Sequence, residues 1–350
     1  FCMVNLVYII QIQNARPDPP SPPFLEKFKF FHYAFISIYM HIVKMKNLSS
    51  EIKQNKSKCI ICGGKEIESY FSLRNNKSDT EEIYQITLSN RKKIGYIQKC
   101  KNCGLIFLPG ALSIDKTNYV NSIDINYVNQ IRERLLNSEK LLKNFRNLMP
   151  GATLLDIGCS CGFLLKVAKE KYGLKVFGIE PSKWAIEFGL KNFGLEIKQG
   201  FIEEIDFQNE FFDAIIMADV IEHLENPKKI LNKIYEILKQ NGELLILTPD
   251  IGSFAAKLTG KYWWGILDGH LFYFTRKTLR QLLEDCGFEI VLLKSFGRTF
   301  LLKDWLLKIS QYNRFFYILA KKITKLLRIE TISLYLNLGD QMICLASKKI

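Results

Sequence analysis

The spacing of apolar residues along the chain changes repeatedly between helical and strand periods. Across residues 129–148, apolar side chains recur near helical spacing among charged ones, which predicts an amphipathic helix. Beyond it, short apolar runs bounded by turn residues alternate with further helical patterns. The predicted strands are Ala152–Cys159, Lys175–Glu180, Glu196–Gly200, Phe212–Asp219, Gly242–Pro249 and Phe288–Ser295, and the predicted helices are Phe163–Lys171, Lys183–Asn192, Pro227–Lys239 and Thr275–Cys286. This alternation predicts an α/β fold with an open parallel sheet and a ligand at its carboxyl edge.

Another pattern at helical spacing occurs near the C-terminus, in a predicted insertion at 300–328. Its apolar positions are Leu302, Trp305, Leu306, Ile309, Phe316, Leu319, Ile323 and Leu327. Residues 297–350 contain ten Lys and Arg but only three Asp and Glu, so this part of the chain is strongly basic. Two interpretations stay open: a lid packed on its own domain, or a basic surface that rests on an anionic membrane. A terminal strand is predicted around Leu334–Ala346.

The bulk composition limits the range of functions. A chain of 350 residues with 48% hydrophobic residues can bury one large core and a small satellite module. The formal net charge of +14 favours an anionic partner (nucleic acid, a phosphorylated substrate or a membrane), although a lysine-rich genome would give the same charge. Six of the nine cysteines lie in three short motifs, which indicates metal ligation and free thiols in a reducing cytoplasm.

The first 44 residues differ from the rest of the chain. They begin with Phe1, contain a proline-rich run, and include an apolar stretch at Phe30–Val43 that is too short to span a bilayer. No small-residue cleavage pattern typical of a signal peptide follows this stretch. We therefore expect translation to begin at Met45, with 1–44 a non-native upstream extension or a disordered segment.

Residues 45–110 contain two Cys-x-x-Cys-Gly knuckles, a pattern typical of a structural zinc module. The four predicted ligands are Cys59, Cys62, Cys100 and Cys103. A two-residue spacer lets one tight turn supply two thiolates to a tetrahedral ion, and Gly63 and Gly104 permit the positive φ of such a turn. Four thiolates leave no open ligand position, so the zinc is expected to be structural. Strand-like segments at Ile83–Leu88 and Lys93–Gln98 predict an inserted hairpin between the knuckles.

The segment after the first strand of the α/β region is suited to a nucleotide-type cofactor. Gly158 permits a tight turn, and Gly162 lets the following helix begin close to a ligand. Asp156 can bind an ammonium group, and Glu180 ends the second strand, where a carboxylate accepts hydrogen bonds from both ribose hydroxyls. The order Gly-Cys-Ser-Cys-Gly does not fit the Gly-x-Gly-x-x-Gly spacing of dinucleotide-binding domains.

Four ordered segments resemble motifs of class I S-adenosylmethionine-dependent methyltransferases: Leu154–Phe163, Val176–Ser182, Phe212–Leu224 and Gly242–Pro249. The later segments His270–Thr275 and Gly287–Phe288 resemble the substrate side of the same group. The resemblance implies a Rossmann-like sheet of mostly parallel strands with an antiparallel last strand, within a domain spanning 111–350. The cofactor contacts it implies are Asp156, Gly158, Cys159, Gly162, Glu180, Pro181, Phe201, Ile202 and Asp219. Ser160 and Phe201 depart from the common pattern, which has glycine and an acidic residue at these positions.

Paired N-terminal knuckles before such a domain resemble methyltransferases of bacterial polysaccharide and deoxysugar pathways. We therefore expect O-methylation of a sugar or another small hydroxyl-bearing metabolite, free or lipid-linked. One alternative is a sugar C-methyltransferase, although those typically carry a further C-terminal domain. A second alternative is an RNA methyltransferase or RNA-binding module. The basic residues of the ribbon do not interleave with aromatic ones, which argues against nucleic acid.

Methyl transfer to a hydroxyl requires a group that accepts the hydroxyl proton. His270 is our first candidate because it follows a Trp- and Gly-containing segment expected to be a flexible loop over the substrate. His223 is a second candidate, or else a cap for its own loop. Glu222 is expected to orient a histidine or to support a divalent ion.

Overall fold

The structure is a computed structural model that describes residues 58–72, 96–108, 116–267, 269–310 and 314–349. The predicted extension 1–44, the expected start at Met45 and the predicted strand Ile83–Leu88 lie outside these residues. The strands are β1 Ile67–Ser72, β2 Tyr96–Cys100, β3 Ile106–Phe107, β4 Thr153–Ile157, β5 Lys175–Glu180, β6 Ile197–Gln199, β7 Phe212–Ala218, β8 Leu238–Pro249, β9 Phe272–Tyr273, β10 Phe288–Ser295, β11 Arg298–Leu301, β12 Ser333–Leu336 and β13 Gln341–Lys348. The α-helices are α1 Lys116–Val120, α2 Ile125–Val128, α3 Ile131–Leu142, α4 Phe163–Tyr172, α5 Lys183–Phe193, α6 Pro227–Ile237, α7 Phe254–Thr259, α8 Arg276–Glu284, α9 Leu302–Ser310 and α10 Arg314–Leu326.

A seven-stranded sheet in the order β10-β13-β8-β7-β4-β5-β6 forms the centre of the described part. β4 pairs in parallel with β5 and β7, β5 with β6, and β7 with β8. β13 runs antiparallel to both β8 and β10. The predicted mostly parallel sheet with an antiparallel last strand is confirmed.

The strands of this sheet are apolar on both faces because helices cover both sides. Leu154 and Ile216 belong to one hydrophobic cluster, and their chain neighbours Leu155 and Ile215 belong to another. Successive side chains of a strand point to opposite faces, so each central strand supplies both cores. This explains why the strands appear in the sequence as continuous apolar runs.

Several element boundaries differ from the prediction. The helix predicted at Pro227–Lys239 ends at Ile237, and β8 begins directly at Leu238 rather than at Gly242. The helix predicted at 129–148 is shorter, Ile131–Leu142. The predicted terminal strand is divided into β12 and β13 by a turn at Gly339, whose φ is +72°.

The predicted insertion is only partly helical. It contains α9 and α10, but Phe300 belongs to β11, which pairs antiparallel with β12. β11 and β12 thus join the two ends of the insertion, so its helices are anchored at their base. Apolar residues of a short strand cannot be told from a helical stripe by spacing alone, which explains the error.

The knuckle region shares a sheet with the C-terminal half of the chain, in the order β1-β2-β3-β9. β3 pairs with β9 through Ile106 opposite Tyr273 and Phe107 opposite Phe272. The Leu108 N–H also donates to the Leu271 carbonyl at 2.9 Å. The knuckle region is therefore hydrogen-bonded to the segment that directly follows His270.

Candidate functional site

A cavity of about 590 Å³ opens at the carboxyl ends of the parallel strands. The cavity is lined by the ends of β4, β5, β7 and β8. It is also lined by residues of α1–α3, of the segment around His270 and of the start of the insertion. The predicted cofactor residues lining it are Asp156, Gly158, Cys159, Glu180, Pro181, Phe201, Ile202 and Asp219. Gly162 does not line it: its backbone φ is +78°, and a Cβ there would lie 2.6 Å from a methyl group of Leu195. The glycine at 162 therefore serves helix–core packing rather than a direct contact.

The turn after β4 has the geometry expected of a cofactor loop. Gly158 has a φ of +72°, and a Cβ at this position would lie 2.6 Å from a methyl group of Val220. Ser160 also takes a left-handed φ, +48°, where the related motifs have glycine. That conformation costs an L-residue roughly 1–2 kcal/mol. Its N–H donates to Glu180 Oε2 at 2.8 Å, which helps to hold the turn.

Glu180 and Asp156 form a buried acidic pair at this edge of the sheet. Glu180 Oε1 accepts a hydrogen bond from the Ser182 N–H at 2.9 Å. Burial raises the pKa of Glu180 to about 7, against the opposing effect of the Ser182 and Ser160 N–H groups. Burial, followed by the charge of Glu180, raises the pKa of Asp156 well above its ordinary value. A ligand with hydroxyl donors and a positive charge would favour the ionised form of both groups.

Phe201 and Ile202 follow β6, which pairs with β5 next to Glu180, and they form an apolar corner of the cavity. Ile202 is buried, and the ammonium group of Lys116 lies 4.4 Å from the centre of the Phe201 ring. Lys116 also forms an ion pair with Glu204 at 2.8 Å. An aromatic ring beside an apolar side chain suits contact with a heteroaromatic base.

Asp219 follows β7 and takes a left-handed φ of +57°. Its N–H donates to the Leu247 carbonyl at 2.8 Å, and its carboxylate forms an ion pair with Arg298. Arg298 is the first residue of β11 and lines the same cavity. The Asp219 carboxylate is thus already paired by a cation from β11.

The three predicted catalytic residues meet in one wall of the cavity. The rings of His223 and His270 are 4.7 Å apart and nearly perpendicular. His270 Nδ1 lies 2.9 Å from the Gly265 carbonyl, and His223 Nδ1 lies 2.8 Å from the Gly269 carbonyl. A carbonyl only accepts, so each Nδ1 carries the proton and each Nε2 of the neutral ring is left as an acceptor.

Both histidines are neutral near pH 7. Burial lowers the pKa of His270 well below its ordinary value of 6.5, and the neighbouring His223 acts in the same direction. Burial also lowers the pKa of His223, against the effect of its bond to Gly269. Trp263 and Ile266, in the loop before His270, are each only 1% exposed, so this part of the loop is packed in the core. His223 caps this loop rather than its own.

Glu222 lies beneath the two rings and is 1% exposed. Its Oε2 accepts a hydrogen bond from the Thr248 hydroxyl at 2.9 Å, whereas Oε1 has no hydrogen-bond partner among the described residues. Burial, then the nearby charge of Asp219, raises the pKa of Glu222 to about 8. One ligand atom from each of Glu222, His223 and His270 lies within 4.8 Å of the others, so the group could hold a cation.

The four cysteines of the knuckles meet as the sequence predicts. The Sγ atoms of Cys59 and Cys103 are 3.4 Å apart, and those of Cys62 and Cys100 are 3.6 Å apart. A tetrahedral zinc ion with Zn–S bonds of about 2.3 Å requires sulfur separations of roughly 3.8 Å, which these distances approach. Gly63 and Gly104 have positive φ values of +68° and +85°, as expected for such turns. The donor set and its geometry fit structural zinc.

Several cavity residues carry no sequence motif and were not predicted. They are Tyr119, Tyr127, Arg134, Trp264 and Arg298. The Arg134 guanidinium stacks 3.9 Å from the ring centre of Tyr127, and burial raises the pKa of Tyr127 to about 12. The amphipathic pattern at 129–148 located Arg134 on a helix, but only tertiary packing places that helix over the cavity.

Comparison with known proteins identifies the family that the central part of the chain resembles. Residues 127–293 match a family model described as a methyltransferase domain. The fold and this match identify a class I S-adenosylmethionine-dependent methyltransferase domain within the chain. The resemblance inferred from the sequence is confirmed at this level.

Two curated relatives show the range of chemistry around this domain. The chain is 29% identical over 149 residues to phosphoethanolamine N-methyltransferase 2 of Caenorhabditis elegans, covering 38% of this chain and 33% of that protein. It is 26% identical over 176 residues to the mitochondrial ubiquinone biosynthesis O-methyltransferase of Schizosaccharomyces pombe, covering 43% of this chain and 64% of that protein. The chain thus spans between a third and nearly two thirds of the length of these relatives.

Among solved structures, a SAM-dependent methyltransferase from Archaeoglobus fulgidus aligns with a TM-score of 0.46 and 20% sequence identity, covering 64% of this chain and all of that one.

Proposed function

We propose that the protein transfers a methyl group from S-adenosylmethionine to a hydroxyl of a small acceptor, either a sugar or another hydroxyl-bearing metabolite, free or lipid-linked. The observation that carries this proposal is a single cavity lined by both the Asp156–Glu180 pair and two neutral histidines. The acidic pair suits a cationic donor with a ribose, and the histidines suit an acceptor that must lose a proton. Small-molecule sites typically have volumes of about 300–1,000 Å³, and the volume of this cavity lies within that range.

In this proposal, each cofactor residue has a defined task. Glu180 accepts hydrogen bonds from the ribose hydroxyls, and Asp156 stabilises the amino-acid end through the turn. Phe201 and Ile202 contact the adenine, while Gly158, Cys159 and Pro181 shape the wall beside it. When bound, S-adenosylmethionine supplies an activated methyl group on a sulfonium centre. Alignment of the acceptor with that centre supplies most of the rate increase, up to about 7–11 kcal/mol in well-oriented systems.

The acceptor hydroxyl loses its proton to the Nε2 of His270. The acceptor oxygen forms a bond to the methyl carbon as the carbon–sulfur bond breaks, and the sulfur keeps that electron pair. Gly265 holds the His270 ring through Nδ1, so Nε2 stays available as an acceptor. His223 and Glu222 position that ring. If the reaction used a divalent ion instead, Glu222 and the two histidines would hold it, and His270 Nε2 would then not act as the base.

The proposal includes a structural zinc ion held by Cys59, Cys62, Cys100 and Cys103. The eight described cysteines form no disulfide with one another, which supports a reducing compartment, and we place the protein in the cytoplasm. A sugar C-methyltransferase is the second candidate, because the paired histidines would also accept a proton from carbon. An RNA methyltransferase or RNA-binding module is the third, and the sequence argues against it because the basic residues around the knuckles do not interleave with aromatic ones as a stacking surface needs.

The decisive test is an activity screen with the purified protein and labelled S-adenosylmethionine. Nucleotide sugars, lipid-linked sugars and RNA are offered as separate acceptor fractions. If a sugar fraction becomes labelled and the label is found in a methyl ether on a sugar oxygen, O-methylation is supported. Label bound to sugar carbon would support the second candidate, and label in RNA alone would contradict the proposal.

Cofactor binding should release a proton near neutral pH. Glu180 is largely protonated below its pKa of about 7 in the free protein, whereas the ribose hydroxyls hydrogen-bond best to its ionised form. The affinity for S-adenosylmethionine should therefore increase as pH rises through about 7 and weaken below it. Titration calorimetry in two buffers of different ionisation enthalpy measures the released proton.

Two variants make this measurement specific. Glu180→Ala should weaken binding about ten- to a hundredfold, since a charged hydrogen bond contributes about 1.5–3 kcal/mol. Glu180→Gln should remove the part of the proton release that comes from Glu180. Glu187→Gln, an exposed change on α5, is the matched control and should leave both quantities unchanged. A pH-independent affinity in the unmodified protein would contradict the assignment of Glu180 to the ribose.

A further inference from the structure

The insertion and the chain that follows it expose an unusual number of apolar side chains. Of the nineteen large hydrophobic residues exposed in the described part of the chain, ten lie between 307 and 338. They are Leu307, Ile318, Leu319, Ile323, Leu326, Leu327, Ile332, Leu334, Tyr335 and Leu338. We call residues 302–338 the apolar–basic surface. Such a concentration of exposed apolar side chains on a folded domain indicates an interaction surface.

The packing of α10 shows that this exposure is a property of the fold. Its described side chains at 317, 320 and 324 are half-buried or buried, and Thr324 is the most buried of them. The isoleucines and leucines at 318, 319, 323 and 326 face outward, and Leu326 is 83% exposed. A helix of a globular domain normally buries its apolar stripe. Here the polar Thr324 faces inward and the apolar stripe remains uncovered.

The charge of the same surface defines what can cover it. Among its described side chains, the exposed charged ones are Lys303, Lys321, Lys322, Lys325 and Arg328. Among the described residues from 303 to 340, every acidic side chain is half-buried or buried. Apolar side chains interspersed with lysine and arginine match a bilayer surface that contains anionic lipids.

A second copy of the chain fits this charge less well, because it would bring a second set of lysines against the first. Like charges brought together in a contact destabilise it.

The apolar–basic surface extends to the mouth of the cavity. Lys303, Trp305 and Leu307 of α9 line the cavity, and so does Leu336 of β12. Leu307 is also one of the exposed apolar residues. The start of α9 is bonded to the chain after α10, because the Leu302 N–H donates to the Ile332 carbonyl at 2.8 Å. One continuous element therefore forms both the outer surface and part of the cavity wall.

We infer that the apolar–basic surface rests on an anionic bilayer, and that the acceptor enters the cavity from the bilayer as a lipid-anchored hydroxyl compound. The second clause rests on the proposed methyl transfer, whereas the first does not. Within the described residues, no helix is long and apolar enough to cross a membrane. The contact is one of a surface lying on the headgroups, with the basic side chains at the phosphate level and leucines below them.

Vesicle flotation with the purified full chain tests the surface. Vesicles of phosphatidylcholine alone are compared with vesicles that also contain phosphatidylglycerol, at low and high salt. The chain should float with the anionic vesicles, and less at high salt. The double variant Leu326→Asp, Lys325→Glu should reduce partition to anionic vesicles at least about tenfold, because it reverses a charge and removes an inserted side chain.

A matched variant controls for the chemistry of the substitution. Leu190→Asp, Lys191→Glu makes the same adjacent changes on the exposed face of α5 and should leave flotation unchanged. Equal binding to both kinds of vesicle, no binding, or an equal loss in the two double variants would overturn the inference. So would a dimer in lipid-free solution that dissociates when Leu326 and Lys325 are changed, since that would identify a second copy as the occupant.

Failure of this inference can be separated from failure of the proposed function. The affinity for S-adenosylmethionine should be unchanged in both double variants, because neither change touches the cavity. With acceptors of equal head group, the Leu326, Lys325 variant should lose turnover on the lipid-anchored form and keep it on the water-soluble form. If the unmodified protein binds vesicles but methylates neither form of the acceptor, only the proposed methyl transfer is contradicted. Equal turnover of both forms by this variant would overturn entry from the bilayer.

Discussion

Replacing His270 by alanine should lower the rate of methyl transfer at least about a hundredfold while changing the affinity for S-adenosylmethionine only a few fold. A positioned base contributes about 10²–10⁴ in rate, and His270 is not among the residues that we assign to the cofactor. The measurement is kcat on one acceptor together with cofactor affinity by calorimetry. His223→Ala should cost less, because its Nδ1 holds the Gly269 carbonyl and serves mainly to position the loop.

The pH dependence of kcat distinguishes His270 from its neighbour Glu222. A base works in its unprotonated form, so activity is lost as pH falls through the pKa of that base. With His270 as base, kcat should stay flat from pH 8 down past 6.5, because burial keeps its pKa below that value. With Glu222 as base, kcat would fall below a pH of about 8. Normal turnover in His270→Ala together with a loss in Glu222→Gln would show that our assignment of the base is wrong.

Replacing Cys103 by serine should remove the bound zinc and unfold the knuckle region. Structural zinc binding contributes about 10–16 kcal/mol in small zinc peptides, and that free energy is folding free energy. Freshly purified, reduced protein should contain close to one zinc per chain by metal analysis, and the variant much less. Cys286→Ser is the matched control, because that buried thiol lies far from the cluster in sequence and outside it in space.

The loss of zinc should also disturb the catalytic wall. β3 pairs with β9, and Leu108 donates to the Leu271 carbonyl one residue after His270. Amide hydrogen exchange should therefore become faster in Cys103→Ser at Leu108, whose N–H makes this bond, and in β9, while exchange in β4 and β5 stays slow. Zinc-free protein with unchanged exchange and a folded knuckle region would contradict both the ion and its structural role.

The central sheet could be predicted from the sequence because each strand is a short apolar run between turn residues. The turn at Gly158, the carboxylate at Glu180 and the four cysteines could be located for the same reason: their chemistry depends on local spacing. Arg298 and Tyr127 could not, since their place in the cavity depends on contacts with residues far away in the chain. The insertion was predicted as wholly helical, because nothing local indicated that Phe300 pairs with β12.

The outward apolar stripe of α10 also shows what residue spacing can predict and what it cannot. Helical spacing predicted that Leu319, Ile323 and Leu327 share one face, and this is what the structure has. Spacing could not decide whether that face points to the core or to solvent. That choice depends on the β11–β12 pair, which fixes how the insertion leaves the sheet.

The pairing of β3 with β9 has a practical consequence for anyone who shortens this protein. A fragment that starts after residue 110 would retain every methyltransferase motif, yet it would leave β9 with an unpaired edge and uncover Phe272 and Tyr273. An open apolar strand edge promotes aggregation. Expression of the catalytic region should therefore keep the cysteine knuckles, and exchanging them for those of a relative should succeed only when the partner strand is exchanged with them.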